Sequence, residues 1–209
     1  MGRYVDAKCR LCRRAGMKLF LKGQRCETEK CSFSKRPTPP GMVVKRPSKP
    51  TNYALQLKEK QKLKRMYGML EKQFKRFFSI ANKSKGVTGR TLIQLLERRL
   101  DNVIFRSLYA FSRNHARQIV RHGFVFINGK RVDIPSYIVK EGENIEIRAK
   151  EALQLVIKDC IESNAKGRSV PTWLQVDNPN YKVGIVRLPE KEDLIIQINE
   201  QLIVELYSK

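Results

Sequence analysis

The feature that most constrains this chain lies near its middle, where the spacing of apolar residues changes from about 3.6 to 2. Upstream, Leu92, Leu95, Leu96, Leu100 and Val103 share one helical face, as do Ala116, Ile119 and Val120. Downstream, FVFI-NG-KRVDI alternates, and Asn128-Gly129 is the pair a two-residue hairpin turn prefers, because both positions need positive φ. A helical pattern does not settle as a strand, nor the reverse. Helices must therefore give way to antiparallel strands along the chain, which predicts an α+β fold.

The helical part can be divided further. Thr51 caps a helix reaching about Tyr67, with Gly68 past its end. Its middle, LKEKQKLKR, is a comb of cations. Leu70, Phe74, Phe77, Phe78 and Ala81 form the apolar face of the next helix, opposite Lys72, Lys75 and Arg76. On this spacing the phenylalanines are core, not base-stacking groups. A third helix carries Leu92 to Val103. After the break SLYAF, Ser112 caps SRNHARQIVRHG and Gly123 stops it. Arg113, Arg117 and Arg121 recur every four residues beside the apolar stripe, and the two helices are expected to form a helix-turn-helix.

Beyond the hairpin, YIVKEGENIEI reads as a strand, a turn and a strand. Residues 151–164 read as an amphipathic helix with Leu153, Ile157, Cys160 and Ile161 inward, so Cys160 is expected to be a buried structural thiol. NEQLIVELY reads as a short helix capped by Asn199, with Leu202, Ile203 and Leu206 inward.

Charge bounds the partner. The chain carries 43 Lys and Arg against 20 Asp and Glu, a net +23, which repels itself unless a polyanion neutralises it. Residues 1–50 hold +11 and residues 51–100 hold +10, while residues 151–209 hold −2. Nucleic acid is the first expectation and an anionic membrane surface the second. The mildly acidic end is expected to be scaffold or a protein-contact surface. No apolar run approaches the roughly 18–20 residues of a membrane span, and the N-terminus MGRYVDAKC has no hydrophobic segment of the kind a secretory signal needs. A reducing, cytoplasmic location is expected.

Four of the five cysteines crowd into residues 9–31, spaced Cys9-x2-Cys12-x13-Cys26-x4-Cys31. Two close pairs separated by a short loop can place four thiolates on one tetrahedral ion. A head of about 35 residues buries too little apolar surface to hold itself together, and metal binding can supply the deficit. Zinc is the first expectation and an iron–sulfur cluster on the same four cysteines the alternative. A thioredoxin-like redox pair would need a βαβ context. Arg10, Arg13 and Arg14 stand beside the first pair, where they offset thiolate charge and can meet phosphate. The proline-rich PTPPGMVVKRPSKP then separates head from body as an extended linker.

The basic helix and hairpin form a candidate RNA surface, Arg113, Arg117, Arg121, His122, Lys130 and Arg131, with Lys58, Lys62 and Arg65 of the comb as a second. The bland alternative for each is a solvated basic face.

The segments RRLDNVIFR, ARQIVRHG, INGKRVDIPSY and KEGENIEI resemble the RNA-binding module of the small-subunit ribosomal protein S-four family. MGRY, the four cysteines, RPTPPG, LKEKQKLKRMYG, KGVTGRTLIQLLERRLDNV and NEQLIVELYSK resemble the same family, in order, so the likeness covers essentially the whole chain. It departs where GMVV stands in place of the frequent Gly-Gln-His-Gly, and where HGF leaves only His122 of a frequent His-Gly-His. Many members lack the cysteines.

The resemblance implies a metal-binding N-terminal arm with its linker (1–45), a helical domain (46–90 plus 189–209), and an inserted RNA-binding domain of alpha-L type (91–188, module at about 98–160). It implies a structural, non-catalytic protein with no small-molecule substrate and no membrane. Its implied partners are 16S rRNA at a helix junction in the 5′ domain, bound early in assembly, and the neighbouring proteins S-five and S-three. It also implies messenger RNA where it enters the subunit, near Lys45, Arg46 and Lys49, with effects on decoding accuracy. Some members repress translation of their own operon. Two rivals remain. An RNA-modifying enzyme borrowing the module would need a catalytic domain, and only His115 and His122 are available as histidines. A zinc-dependent DNA-binding regulator would prefer duplex DNA.

Overall fold

The structure, a computed structural model, describes residues 2–42, 49–190, 193 and 198–208. In chain order the helices are α1 (Lys8–Ala15), α2 (Ser32–Lys35), α3 (Asn52–Met66), α4 (Glu71–Lys83), α5 (Thr88–Glu97), α6 (Leu100–Arg106), α7 (Arg113–Arg121), α8 (Glu151–Ala165) and α9 (Glu200–Tyr207). The strands are β1 (Val125–Ile127), β2 (Lys130–Arg131), β3 (Asn144–Ile147), β4 (Leu174–Asp177) and β5 (Lys182–Ile185). This is the expected α+β fold. Two compact units divide inside α5: Met1–Leu92 with Ile195–Lys209, and Ile93–Leu194.

In the first unit, the Thr51 hydroxyl accepts from the Ala54 N–H at 3.2 Å. Such a cap contributes about 1 kcal/mol. Phe74, Phe77, Phe78 and Ala81 of α4 are buried, as their spacing predicts. Leu70 is not: it precedes the helix in extended conformation and is 45% exposed. The Asn199 side chain accepts from the Gln201 N–H at 3.2 Å and starts α9. Tyr207 then stacks on Phe78, with ring centroids 4.4 Å apart, and its hydroxyl donates to Glu71 at 3.0 Å. Gln56 of α3 donates to Glu205 at 2.9 Å. The C-terminal segment is therefore scaffold for the N-terminal helices.

Glu71 is the polar centre of this packing. It accepts from Lys60 at 2.6 Å and from Lys64 at 2.7 Å as well as from Tyr207. Partial burial pushes its carboxyl up, but these three donors outweigh burial and hold it down to about 2. Part of the cationic comb thus faces a carboxylate within the protein.

In the second unit, the expected single helix over Leu92–Val103 is two. Arg99 leaves the helical path with φ −66° and ψ 135°, and the backbone turns there. The cause is the loop before β3. Leu100 N–H donates to Tyr137 O at 2.9 Å, Asp101 N–H to Pro135 O at 3.2 Å, and Val139 N–H to Arg98 O at 2.9 Å. The segment YIV, expected as a strand, spends its backbone groups on this helix break and, among the described residues, pairs only through an isolated Arg99–Ile138 bridge. Two departures from the sequence reading share one physical origin.

Ser112 caps α7 as expected, its hydroxyl accepting from the His115 N–H at 3.3 Å. Asn128 and Gly129 adopt φ of 47° and 81°, and the turn they make pairs Ile127 with Lys130. The sheet is antiparallel, in the order β2-β1-β3-β5-β4 among the described residues. The pair β4 and β5 had no clear signal, because each four-residue strand places only two side chains inward. One sheet face packs Val125, Ile127, Ile145, Ile147, Val183 and Ile185 against Val103, Phe105, Ile119, Val120 and Ile157. Trp173 is fully buried in this core. Each such buried large apolar side chain contributes about 1.5–3 kcal/mol.

Candidate nucleic-acid interface

The cysteine head belongs to the first unit. Cys9 and Cys12 lie on α1, Cys26 closes a 3-10 turn (Gly23–Cys26), and Cys31 precedes α2. Cys12, Cys26 and Cys31 are buried, and Leu19 fills the small core beside Cys12 and Ala15. The Lys22 N–H points at the Cys26 sulfur at 3.4 Å. Burial pushes the Cys12 and Cys26 thiols up, and the other cysteines of the head add to the rise. At Cys31 burial acts the same way but is outweighed by the Ser34 and Phe33 N–H groups, which pull the thiol down. Cys12 and Cys26, raised by burial and by neighbouring cysteines, together with Cys31, which receives N–H donors, and Cys9 on the same helix as Cys12, are a suitable donor set for a soft cation. Their placement is not closed: among the described residues, no three Cys, His, Asp or Glu are grouped tightly enough to hold an ion.

The cations around the head divide by role. Arg10 and Arg14 are exposed. Arg13 donates to Thr38 O at 2.8 Å and Pro39 O at 3.2 Å, so it ties the proline-rich segment to α1. Burial lowers the Arg65 guanidinium of α3, and the nearby charge of Arg14 lowers it further. Lys58 Nζ lies 3.7 Å from where a Cβ on Gly16 would sit. Arg14, Lys58 and Arg65 therefore form one cationic patch where α1 meets α3. Lys62, expected to join them, is buried and paired with Glu59 at 2.6 Å. Lys49 is exposed, while Lys45 and Arg46 lie outside the described residues.

In the second unit, the arginines of α7 also divide. Arg121 and His122 are exposed at its C-terminal end, beside Lys130 and Arg131 of the hairpin. Gly123, with φ 75°, lets the Arg131 guanidinium lie over the helix end, where it reaches His122 O at 3.5 Å. Arg113 is held differently: it donates to Asn102 at 2.8 Å and lies 4.5 Å from the centre of the Phe105 ring. Arg117 is buried and 3.5 Å from Asp101. The expected stripe of three arginines thus presents one at the surface and anchors two in the fold.

Those anchors belong to a buried network that sequence reasoning missed. Asp101 accepts from Arg99 at 3.1 and 2.7 Å. Glu97 accepts from Asn102 at 3.0 Å and from Arg106 at 2.9 Å. Glu97, Arg99 and Asn102 have no solvent exposure. The available signal was RRLDN itself, charged residues inside an otherwise apolar helical run, because buried charges survive only when paired.

His115 and Cys160 also meet, Nδ1 to Sγ at 4.0 Å. Burial lowers the histidine and pushes the thiol up to about 12. That is the reverse of what a thiolate nucleophile needs, so the pair is structural.

Two family models match the chain. Residues 3–97 match the ribosomal protein S4/S9 N-terminal domain, and residues 98–145 match the S4 domain. Relatives named small ribosomal subunit protein uS4 match over the full length of both chains. That of Thermodesulfovibrio yellowstonii is 53% identical over 209 residues, that of Oleidesulfovibrio alaskensis 53% over 209, and that of Thermus thermophilus 50% over 210. Two domain models in succession, with end-to-end relatives at half identity, mean that the chain belongs to the ribosomal protein uS4 family.

Proposed function

We propose that this chain is a structural, non-catalytic rRNA-binding protein of the small ribosomal subunit, and so resides on the cytoplasmic ribosome. The observation that carries this reading is the pair of exposed cationic surfaces, one in each unit, on a chain of net +23 that belongs to the uS4 family. Arg10, Arg14 and Lys58 supply the first, with the half-buried Arg65 beneath them, and Arg121, His122, Lys130 and Arg131 the second. Affinity comes mainly from phosphate neutralisation and RNA shape. Arg13 and Arg113 add field to these surfaces while holding the fold, whereas Lys62 and Arg117 are offset by Glu59 and Asp101 and serve the fold.

The finer reading follows the family. The chain binds a helix junction in the 5′ domain of 16S rRNA early in assembly and lies beside proteins S-five and S-three. Lys45, Arg46 and Lys49 lie towards incoming messenger RNA, and the protein influences decoding accuracy. Its functional division is an arm (1–45), a helical domain (46–90 plus 189–209) and an RNA-binding domain (91–188). Cys9, Cys12, Cys26 and Cys31 are the ligands of a zinc ion that supplies folding energy to the head and no chemistry.

The decisive test is a titration with a 16S 5′-domain transcript and with duplex DNA at matched salt. Preference for the transcript is expected, with the logarithm of the binding constant falling by roughly 0.7–0.9 per neutralised phosphate per decade of salt. A flat salt response, or a preference for DNA, overturns the reading. Metal analysis tests the zinc separately: colourless protein with one zinc per chain is expected, while iron, sulfide and visible absorption would assign a cluster instead.

A further inference from the structure

One row of side chains crosses the sheet on the face turned away from the core. Register aligns Arg131 on β2 with Phe126 on β1, Phe126 with Glu146 on β3, and Glu146 with Lys182 on β5. Phe126 is the half-buried centre of a strand whose two neighbours, Val125 and Ile127, point into the core. A large aromatic on the solvent face of a three-residue strand needs a partner. It has one in Arg148, whose guanidinium carbon lies 4.3 Å from the ring centre. Arg148 is also held at its edge, donating to Glu146 at 3.1 Å. The Arg148 side chain is nevertheless 53% exposed.

A guanidinium held in this way has an unusual remaining capacity. Its guanidinium carbon lies over the phenylalanine ring and part of its donor fork is spent on a carboxylate, so it is poorly disposed to grip a phosphate bidentately. The side chain is still half exposed, so the guanidinium remains open to a ligand from solvent. Guanidinium planes and aromatic rings are the surfaces on which unpaired RNA bases stack. Arg131, opposite Phe126 on the edge strand, stands where the phosphate of a stacked nucleotide can be met.

We infer that Phe126, Arg148 and Glu146 form a stacking platform for an unpaired base of RNA, with Arg131 as its phosphate partner. This deepens the RNA-binding reading and rests on it. It adds a contact that is insensitive to salt to a surface otherwise governed by charge.

The test uses the full chain with Arg148→Lys, which keeps the charge and removes the plane. The first probe is a ten-nucleotide single-stranded RNA carrying 2-aminopurine at its centre. The second is the 16S 5′-domain transcript. Arg148→Lys is expected to weaken single-strand binding by roughly 10-fold, to abolish quenching of 2-aminopurine, and to leave the salt slope unchanged. Phe126→Leu should do the same, and Phe126→Tyr should restore binding. If Phe126→Leu proves poorly folded, the exposed Arg148→Lys still decides. Wild-type affinity and quenching in Arg148→Lys overturn the platform, as does a loss accompanied by a shallower salt slope, the sign of a lost phosphate contact. Failure of wild-type protein to prefer the transcript over duplex DNA refutes the rRNA reading instead, and the single-strand probe reports on the platform in either case.

Discussion

Asp101→Ala should be among the most damaging single substitutions in the second unit, and its cost can be worked from the geometry. The carboxylate accepts two hydrogen bonds from Arg99, at 3.1 and 2.7 Å, and stands 3.5 Å from Arg117. The Arg99 side chain has 0% exposure and that of Arg117 has 10%. Removing the carboxylate leaves two guanidinium groups in the interior without their shared counter-charge. Breaking a buried pair on one side costs about 3–5 kcal/mol. Trp173, the single tryptophan, is fully buried in the core of this unit, so its emission reports unfolding there. With a slope of about 1.5 kcal/mol per molar, the urea midpoint should fall by roughly 2–3 M. Adding Arg99→Met to Asp101→Ala should recover part of the loss, because one of the two charges stranded in the interior is then gone. A midpoint for Asp101→Ala within about 0.5 M of wild type would refute the reasoning, since it would mean that Arg99 can reach water or another acceptor at little cost.

Three further outcomes are expected. Glu71 has a folded-state pKa of about 2, below its unfolded value near 4.3, so its contribution is present above pH 4.3 and lost as pH falls from about 5 to 2. Because Glu71 is half exposed, Glu71→Gln should cost only roughly 1 kcal/mol at pH 7 and flatten the acid limb of a circular-dichroism melt. Gly123→Ala forces a side chain into φ 75° and into the space of the Arg131 guanidinium, so the Trp173 transition should lose roughly 1–2 kcal/mol. Arg121→Ala and Lys130→Ala should each reduce the salt slope of rRNA binding by about 1 without moving that transition, whereas Arg117→Ala should lower its midpoint.

Much of this could be read from the chain. The caps at Thr51, Ser112 and Asn199, the apolar face of α4 and the Asn128-Gly129 turn are local, set by residues within four positions of one another, and local rules reached them. The clustering of cysteines and the gradient of charge were equally plain. The break at Arg99 was not legible, because its cause lies almost forty residues away, in a loop whose carbonyls replace helical partners. The strands β4 and β5 were too short to show a period.

The residues of the interface show the same divide most clearly. Spacing alone put Arg113, Arg117 and Arg121 on one stripe and Lys58, Lys62 and Arg65 on one comb. Composition told that the chain must meet a polyanion, and the order of its segments told which family it belongs to. Which of these cations stays exposed and which is held inside depended on where Asp101, Asn102 and Glu59 came to rest. A cation's availability is a difference between two environments, solvent and a neighbouring polar group; Lys62 finds Glu59 three residues away on its own helix, but for Arg113 and Arg117 that neighbour is chosen by packing between elements, which no spacing along the chain reveals.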